Sequence, residues 1–210
     1  MVWEKVMGIE EQLWAGKCAA LVVDMQNDFC HPDGFLGKAG MNLKDIRAMI
    51  PSLARLVDAV RAIGVRIFMV QSLMEEHYLS PAMRYRKLRI GRSEDICKEH
   101  SWGQQQIEEL FPHPEDVVIN KHTYSAFLGT KLTEKLVDEE IQTLIVTGVL
   151  TEVCVETTVR DSACLHFYNV IPKDCTASDN SDSHWSALFR IDKFFGTVMG
   201  SEEIVSKLRY

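Results

Sequence analysis

Several features that would assign this chain quickly are missing from it. No glycine lies between Asp24 and Phe29, directly after the first apolar run. A flavodoxin-like nucleotide binder needs a glycine-rich phosphate loop there, so that class is excluded. None of the six cysteines (Cys18, Cys30, Cys97, Cys154, Cys164, Cys175) stands in C-x-x-C spacing, which argues against a zinc ribbon or a thioredoxin-type pair. Basic charge is not in excess: 23 Lys and Arg face 30 Asp and Glu, a formal net charge of -7. Nucleic-acid binders usually carry the opposite balance. No apolar run approaches a membrane span. The N-terminus carries Glu4, Glu10 and Glu11 where a signal peptide would carry an apolar h-region. The expectation is a cytoplasmic protein with free thiols, whose partner is a small molecule rather than a nucleic acid or a membrane.

What is present suits one globular domain over residues 1–210, with residues 1–17 as an arm held down by Leu13 and Trp14. Cys18–Val23 is a short run apolar at every position, as in the middle of a parallel sheet. Leu43, Ile46, Ile50, Leu53, Leu56, Val57, Val60 and Ile63 recur at helical spacing. Pro51 within that stretch places the start of a long helix there, and Gly64 ends it. Further strands are expected at 65–70, 117–119, 143–147, 169–171 and 197–199. Helices are expected at 103–111, 130–139, 153–167, 182–195 and 201–208. Residues 71–100 read mostly as loop, with Pro81 and Gly91 as breakers. Alternating strands and helices imply right-handed crossovers: an α/β fold of three layers, α/β/α, with a six-stranded, mostly parallel sheet. In such sheets ligands bind at the carboxyl ends of the strands.

Three residues that could carry chemistry follow strand ends. Cys154 comes after a tight turn at Gly148 and near a helix start, where partial positive charge and free N–H groups favour a thiolate and could bind an oxyanion. The alternative is a buried core cysteine. Asp24 directly ends an apolar strand, a costly place for an acid unless it is paired or working; it could also cap the next turn, a role that suits Asp28 better. Lys121, past the third strand, is a surface charge if alone and an orienting cation if it meets the other two.

Read together, Leu-Val-Val-Asp24-Met-Gln-Asn-Asp28-Phe29, Lys121-x-x-x-Ser125-Ala126-Phe127 and Thr147-Gly-Val-x-Thr151-x-x-Cys154-Val155 resemble the isochorismatase-like superfamily of cysteine hydrolases over residues 18–208. The resemblance implies a catalytic triad of Asp24, Lys121 and Cys154. It also implies a cis peptide at Val149–Leu150 and an oxyanion hole from the backbone N–H groups of Leu150 and Cys154. Family members are commonly dimers or tetramers, so a homo-oligomer is implied.

Two departures narrow the implied activity. The Asp-x-His metal motif of nicotinamidases is missing from Val70-Gln-Ser-Leu-Met-Glu-Glu-His77, which leaves His31 and His77 isolated; no metal or other cofactor is expected. True isochorismatases cleave a vinyl ether and generally lack the cysteine, whereas this chain has it. The resemblance therefore points to cleavage of a C–N bond in a small amide or ureide through a thioester. Arg86-Lys-Leu-Arg89-Ile-Gly91, followed by Trp102-Gly103, is most similar to biuret hydrolases. Rival readings are a hydrolase of a non-amide substrate and a non-catalytic family member.

Candidate substrate contacts each have a bland alternative. Phe29 resembles an aromatic residue that flanks substrate in relatives, or it packs in the core. Gln71 could hydrogen-bond an amide. Arg86 and Arg89 could grip a substrate carboxylate, or, with Arg84, Lys87 and Arg92, form a solvated basic face. Trp102 closes a pocket or merely packs.

Overall fold

The first strand, β1 (Cys18–Val23), is buried at all of its positions, because it lies in the middle of a parallel sheet. The computed structural model describes residues 6–89 and 95–209; Glu4, Gly91 and Arg92 lie outside them. β1 pairs in parallel with β2 (Arg66–Ser72) on one side and with β4 (Thr143–Val149) on the other. β2 continues outward to β3 (Val117–Lys121), and β4 to β5 (Tyr168–Pro172) and β7 (Thr197–Met199). A two-residue β6 (Thr176–Ala177) also pairs with the end of β4. All these pairings are parallel.

Side chains alternate across the sheet, so each strand feeds two cores. Cys18, Ala20 and Val22 of β1 point to one, built with Ile46, Leu53, Val57 and Val60. Ala19, Leu21 and Val23 point to the other, built with Leu132, Leu136, Val159, Leu188 and Ile191. The helices are α1 (Ile9–Gln12), α2 (Asn27–Cys30), α3 (Phe35–Lys38), α4 (Lys44–Ala62), α5 (Pro81–Arg89), α6 (Leu132–Asp138), α7 (Glu156–Cys164), α8 (Ser181–Phe194) and α9 (Ser201–Lys207). α4 covers the first face, with α9 against it, and α6, α7 and α8 cover the second. The three-layer α/β/α architecture holds, with β6 added to the six expected strands.

The strand order β3-β2-β1-β4-β5-β7 reverses direction at β1. The chain runs outward from β1 through β2 to β3, then crosses back to β1's other side. Crevices open where the order reverses, beyond the carboxyl ends of the strands. Here that is the end of β1 and β4, where Val23 is in register with Gly148. Gly148 has φ 104°, and a Cβ there would collide with the Val23 carbonyl, so only glycine lets the strands stay this close.

Several expectations need correction. α4 begins at Lys44, and Pro51 sits inside it on an exposed stretch. The lost donor at Pro51 is tolerated because seven apolar side chains, among them Ile46, Leu53 and Val60, anchor the helix. Residues 81–89, expected as loop, form α5: Pro81 is its first residue and the Ser80 hydroxyl accepts the Met83 N–H, a start signal rather than a break. Its absence of buried residues removes the periodicity that would have revealed it. The helix expected at 103–111 shrinks to a 3-10 turn, Glu108–Leu110. Backbone groups of that stretch bond another segment instead: Gly103 and Gln105 carbonyls accept from Asp28 and Asn27, and Ile107 donates to Met25. In the arm Leu13 is fully buried, but Trp14 is 55% exposed; Trp14 is held through its backbone bridge to Arg209.

Candidate active site

Asp24, Lys121 and Cys154 meet at the reversal point. Asp24 is the first residue after β1 and adopts φ 56°, a left-handed conformation that aspartate tolerates better than most residues. Its backbone N–H donates to the Val70 carbonyl, which fixes the turn. Lys121 is the last residue of β3, in register with Ser72. Cys154 lies in a π-helical turn, Thr151–Val155, between β4 and α7. The Val149–Leu150 peptide bond leading into that turn is cis.

Lys121 and Asp24 are each 1% exposed. Lys121 Nζ lies 2.9 Å from Asp24 Oδ2 and donates to Cys154 Sγ at 3.4 Å, to Ser72 Oγ at 2.8 Å and to the Thr123 carbonyl at 3.0 Å. The Ser72 hydroxyl in turn donates to Asp24 Oδ1 at 3.0 Å. Burial pulls Lys121 down more than any other single influence, but Asp24 and Cys154 together outweigh it and raise the lysine above its ordinary range. Lys121 is therefore an ammonium at neutral pH. Asp24 Oδ2 makes no directed hydrogen bond despite its nearness to Nζ, so it keeps a lone pair available for a proton.

Cys154 departs from expectation. Position near a helix start suggests a thiolate, yet burial, and then the Asp24 charge, push the thiol well above its usual range, and Lys121 pulling the other way does not compensate. That direction favours the neutral thiol at Cys154.

Above the three residues lies a cavity of about 270 Å³. Its floor carries Asp24, Ser72, Thr123 and Cys154. One wall is Phe29, Leu36 and Met41; another is Val149, Leu150 and Val153. Met74 and Ile96, joined by a β-bridge, form a third with Tyr124. α5 contributes Met83, Arg86 and Lys87 to the lining, with Leu79 just before it.

Residues 18–203 match the Isochorismatase domain family. The chain belongs to the isochorismatase family. This isochorismatase-family chain is similar to a cysteine hydrolase from Pseudomonas syringae pv. phaseolicola 1448A, with 27% identity over 92% of this chain and 93% of that one and a TM-score of 0.81. It also shares its fold with an N-carbamoylsarcosine amidase from Thermoplasma acidophilum (24% identity, 89% and 97% covered, TM-score 0.73). A nicotinamidase from Bacillus subtilis stands equally near (24% identity, 87% and 98% covered, TM-score 0.73). Isochorismatase-family relatives are thus hydrolases, amidases among them.

Not every candidate contact reaches the isochorismatase-family cavity. Phe29 lines it and also packs against the first core. Arg86 lines it with its guanidinium 5.5 Å above the Tyr124 ring. Gln71 does not line it: strand alternation turns Ser72 inward and Gln71 outward, where its amide donates to Asn120 Oδ1 at 2.7 Å. Arg89, the exposed last residue of α5, is not part of the lining either. Trp102 borders a different, polar hollow and meets His31 edge-on at 5.0 Å, so it does not close this cavity. Asp28 ties loops together rather than capping its own turn: its carboxylate accepts the N–H groups of Phe35 and Cys97. Among the described residues no three His, Cys, Asp or Glu are grouped to hold a metal, and no helix is long and apolar enough to cross a membrane.

Ser72 is the residue that sequence reasoning missed. A serine at a strand end carries no signal by itself. Its backbone is locked by the buried Gln26 amide, which accepts the Ser72 N–H at 2.7 Å and donates to its carbonyl at 3.0 Å. Period-2 alternation, which puts Ser72 rather than Gln71 beneath the cavity, was the available clue.

Proposed function

We propose that the protein is a cysteine-dependent amidohydrolase that cleaves the C–N bond of a small amide or ureide through a thioester. One observation carries this reading: a thiol, a carboxyl group and a lysine within reach of both stand in one cluster under a cavity. A neutral thiol needs a base before it attacks, and Asp24 is that base.

Asp24 takes the Sγ proton, and the thiolate attacks the carbonyl carbon. The oxyanion rests on the backbone N–H groups of Leu150 and Cys154. Asp24 returns the proton to the nitrogen, the C–N bond breaks, and ammonia or an amine leaves. Water then enters and gives a proton to Asp24; its oxygen attacks the thioester carbonyl. Collapse expels the sulfur, which regains the proton, and a carboxylic acid departs (a carbamic acid in the case of a ureide). Lys121 stays protonated throughout. It aligns Asp24 and offsets the charge that develops on sulfur.

The test is ammonia release from a panel of small amides and ureides, with Cys154→Ser alongside. Release from at least one compound, reduced by about 10³-fold or more in the variant, is expected. Equal turnover by the variant overturns the nucleophile assignment. A cytoplasmic location and a homo-oligomeric state belong to the same proposed picture, on the strength of the family resemblance.

A further inference from the structure

The cavity's chemistry restricts what can fill it. Much of the lining is aliphatic or thioether: Leu36, Met41, Met74, Leu79, Met83 and Ile96. An all-polar ureide such as biuret would bury N–H and C=O groups against these side chains, which cannot hydrogen-bond them. An aliphatic body gains from the same walls, and methionines adapt to its shape.

The part of the lining that comes from α5 has the opposite character. α5 carries Arg84, Arg86, Lys87 and Arg89 and no acid, in a chain whose formal net charge is -7. Lys87 is paired with Asp95 at 3.3 Å and Arg84 with Glu76 at 3.8 Å. Arg86 lines the cavity, rests on the Tyr124 ring and has no carboxylate partner among the described residues. A guanidinium held over a ring face still has N–H donors for a bidentate anion. The cavity lining therefore combines a nucleophile, many apolar side chains and a cation with no carboxylate partner among the described residues.

We propose that the substrate is a primary amide or carbamoyl group on a medium-length apolar body that ends in a carboxylate, with the carboxylate bound by Arg86. This inference rests on the amidohydrolase reading.

The test compares straight-chain dicarboxylic acid monoamides of increasing length, uncharged primary amides of matching length, and biuret. Ammonia release is followed with the wild type and Arg86→Gln, and binding is measured separately by calorimetry with Cys154→Ser. Expected are a kcat/KM that rises about fourfold per added methylene until the cavity is full and a preference of about tenfold or more for each acid over its uncharged counterpart. In Arg86→Gln that preference falls to near unity. Better turnover of biuret than of any longer amide, or an acid preference that Arg86→Gln leaves intact, overturns the inference and leaves the amidohydrolase reading standing. Binding to Cys154→Ser in the expected order, without ammonia release by the wild type, upholds the pocket assignment and defeats the reaction instead.

Discussion

Removing the Ser72 hydroxyl tests how the buried cluster is held. In Ser72→Ala, Asp24 Oδ1 loses its hydrogen bond and Lys121 Nζ loses one acceptor. The ammonium keeps the Thr123 carbonyl, Asp24 Oδ2 and Cys154 Sγ within reach, so most of the cost falls on the carboxylate. A hydrogen bond to a buried charge contributes about 1.5–3 kcal/mol, and a loss of about 2 kcal/mol in urea unfolding is expected. A freed carboxylate also loses alignment with the thiol, and small misplacements of a base cost about ten- to a hundredfold in rate. Two readouts separate these effects: kcat on a working amide, and the rate at which iodoacetamide alkylates Cys154, followed by peptide mass spectrometry because Cys164 is exposed and would react as well. Both rates should fall in Ser72→Ala and recover in part in Ser72→Thr, which keeps a hydroxyl. A purely structural serine would lower stability and leave both rates of the folded protein unchanged. A stability change below about 0.5 kcal/mol with unaltered rates would show that Ser72 does not hold the cluster, since a surface-like response is incompatible with a hydroxyl that bridges Asp24 and Lys121 in the interior.

Two further predictions concern the buried charges and thiols. Lys121→Met strands Asp24 without a counter-ion and should cost about 3–5 kcal/mol in urea unfolding, whereas adding Asp24→Asn should restore part of that loss; a loss below about 1 kcal/mol would count against the ion pair. Burial raises Cys18 and Cys175 from 9.0 to about 12 and Cys30 and Cys154 higher still. A raised folded value means that the stability is fully present below pH 9 and is lost as pH climbs from there toward 12, by up to about 1.4 kcal/mol per pH unit for each thiol. Urea midpoints should therefore fall between pH 8.5 and about 10.5, and less steeply in Cys18→Ala/Cys175→Ala; a flat profile would contradict the assigned burial.

The sequence by itself determined the elements with strong local signals. The continuous apolar run of β1 and the helical spacing from Ile46 to Val60 leave one way to bury their faces, and alternation of such elements dictates a parallel sheet. It also determined the placement of Asp24, Lys121 and the Gly148–Cys154 segment after strand ends, because chain order and crossover handedness bring those ends to one edge. Tertiary structure alone decided what those residues are to each other. The thiol of Cys154 is pushed above its usual range by what encloses it, a sum over distant segments that no local window contains. Ser72 rather than Gln71 enters the site because the face a residue takes depends on strand register, set by pairing with Lys121 across β3. α5 was invisible for the same reason in reverse: it buries nothing, so it has no periodicity, and only its position over the cavity gives Arg86 a task that Arg89, three residues on and equally basic, does not have.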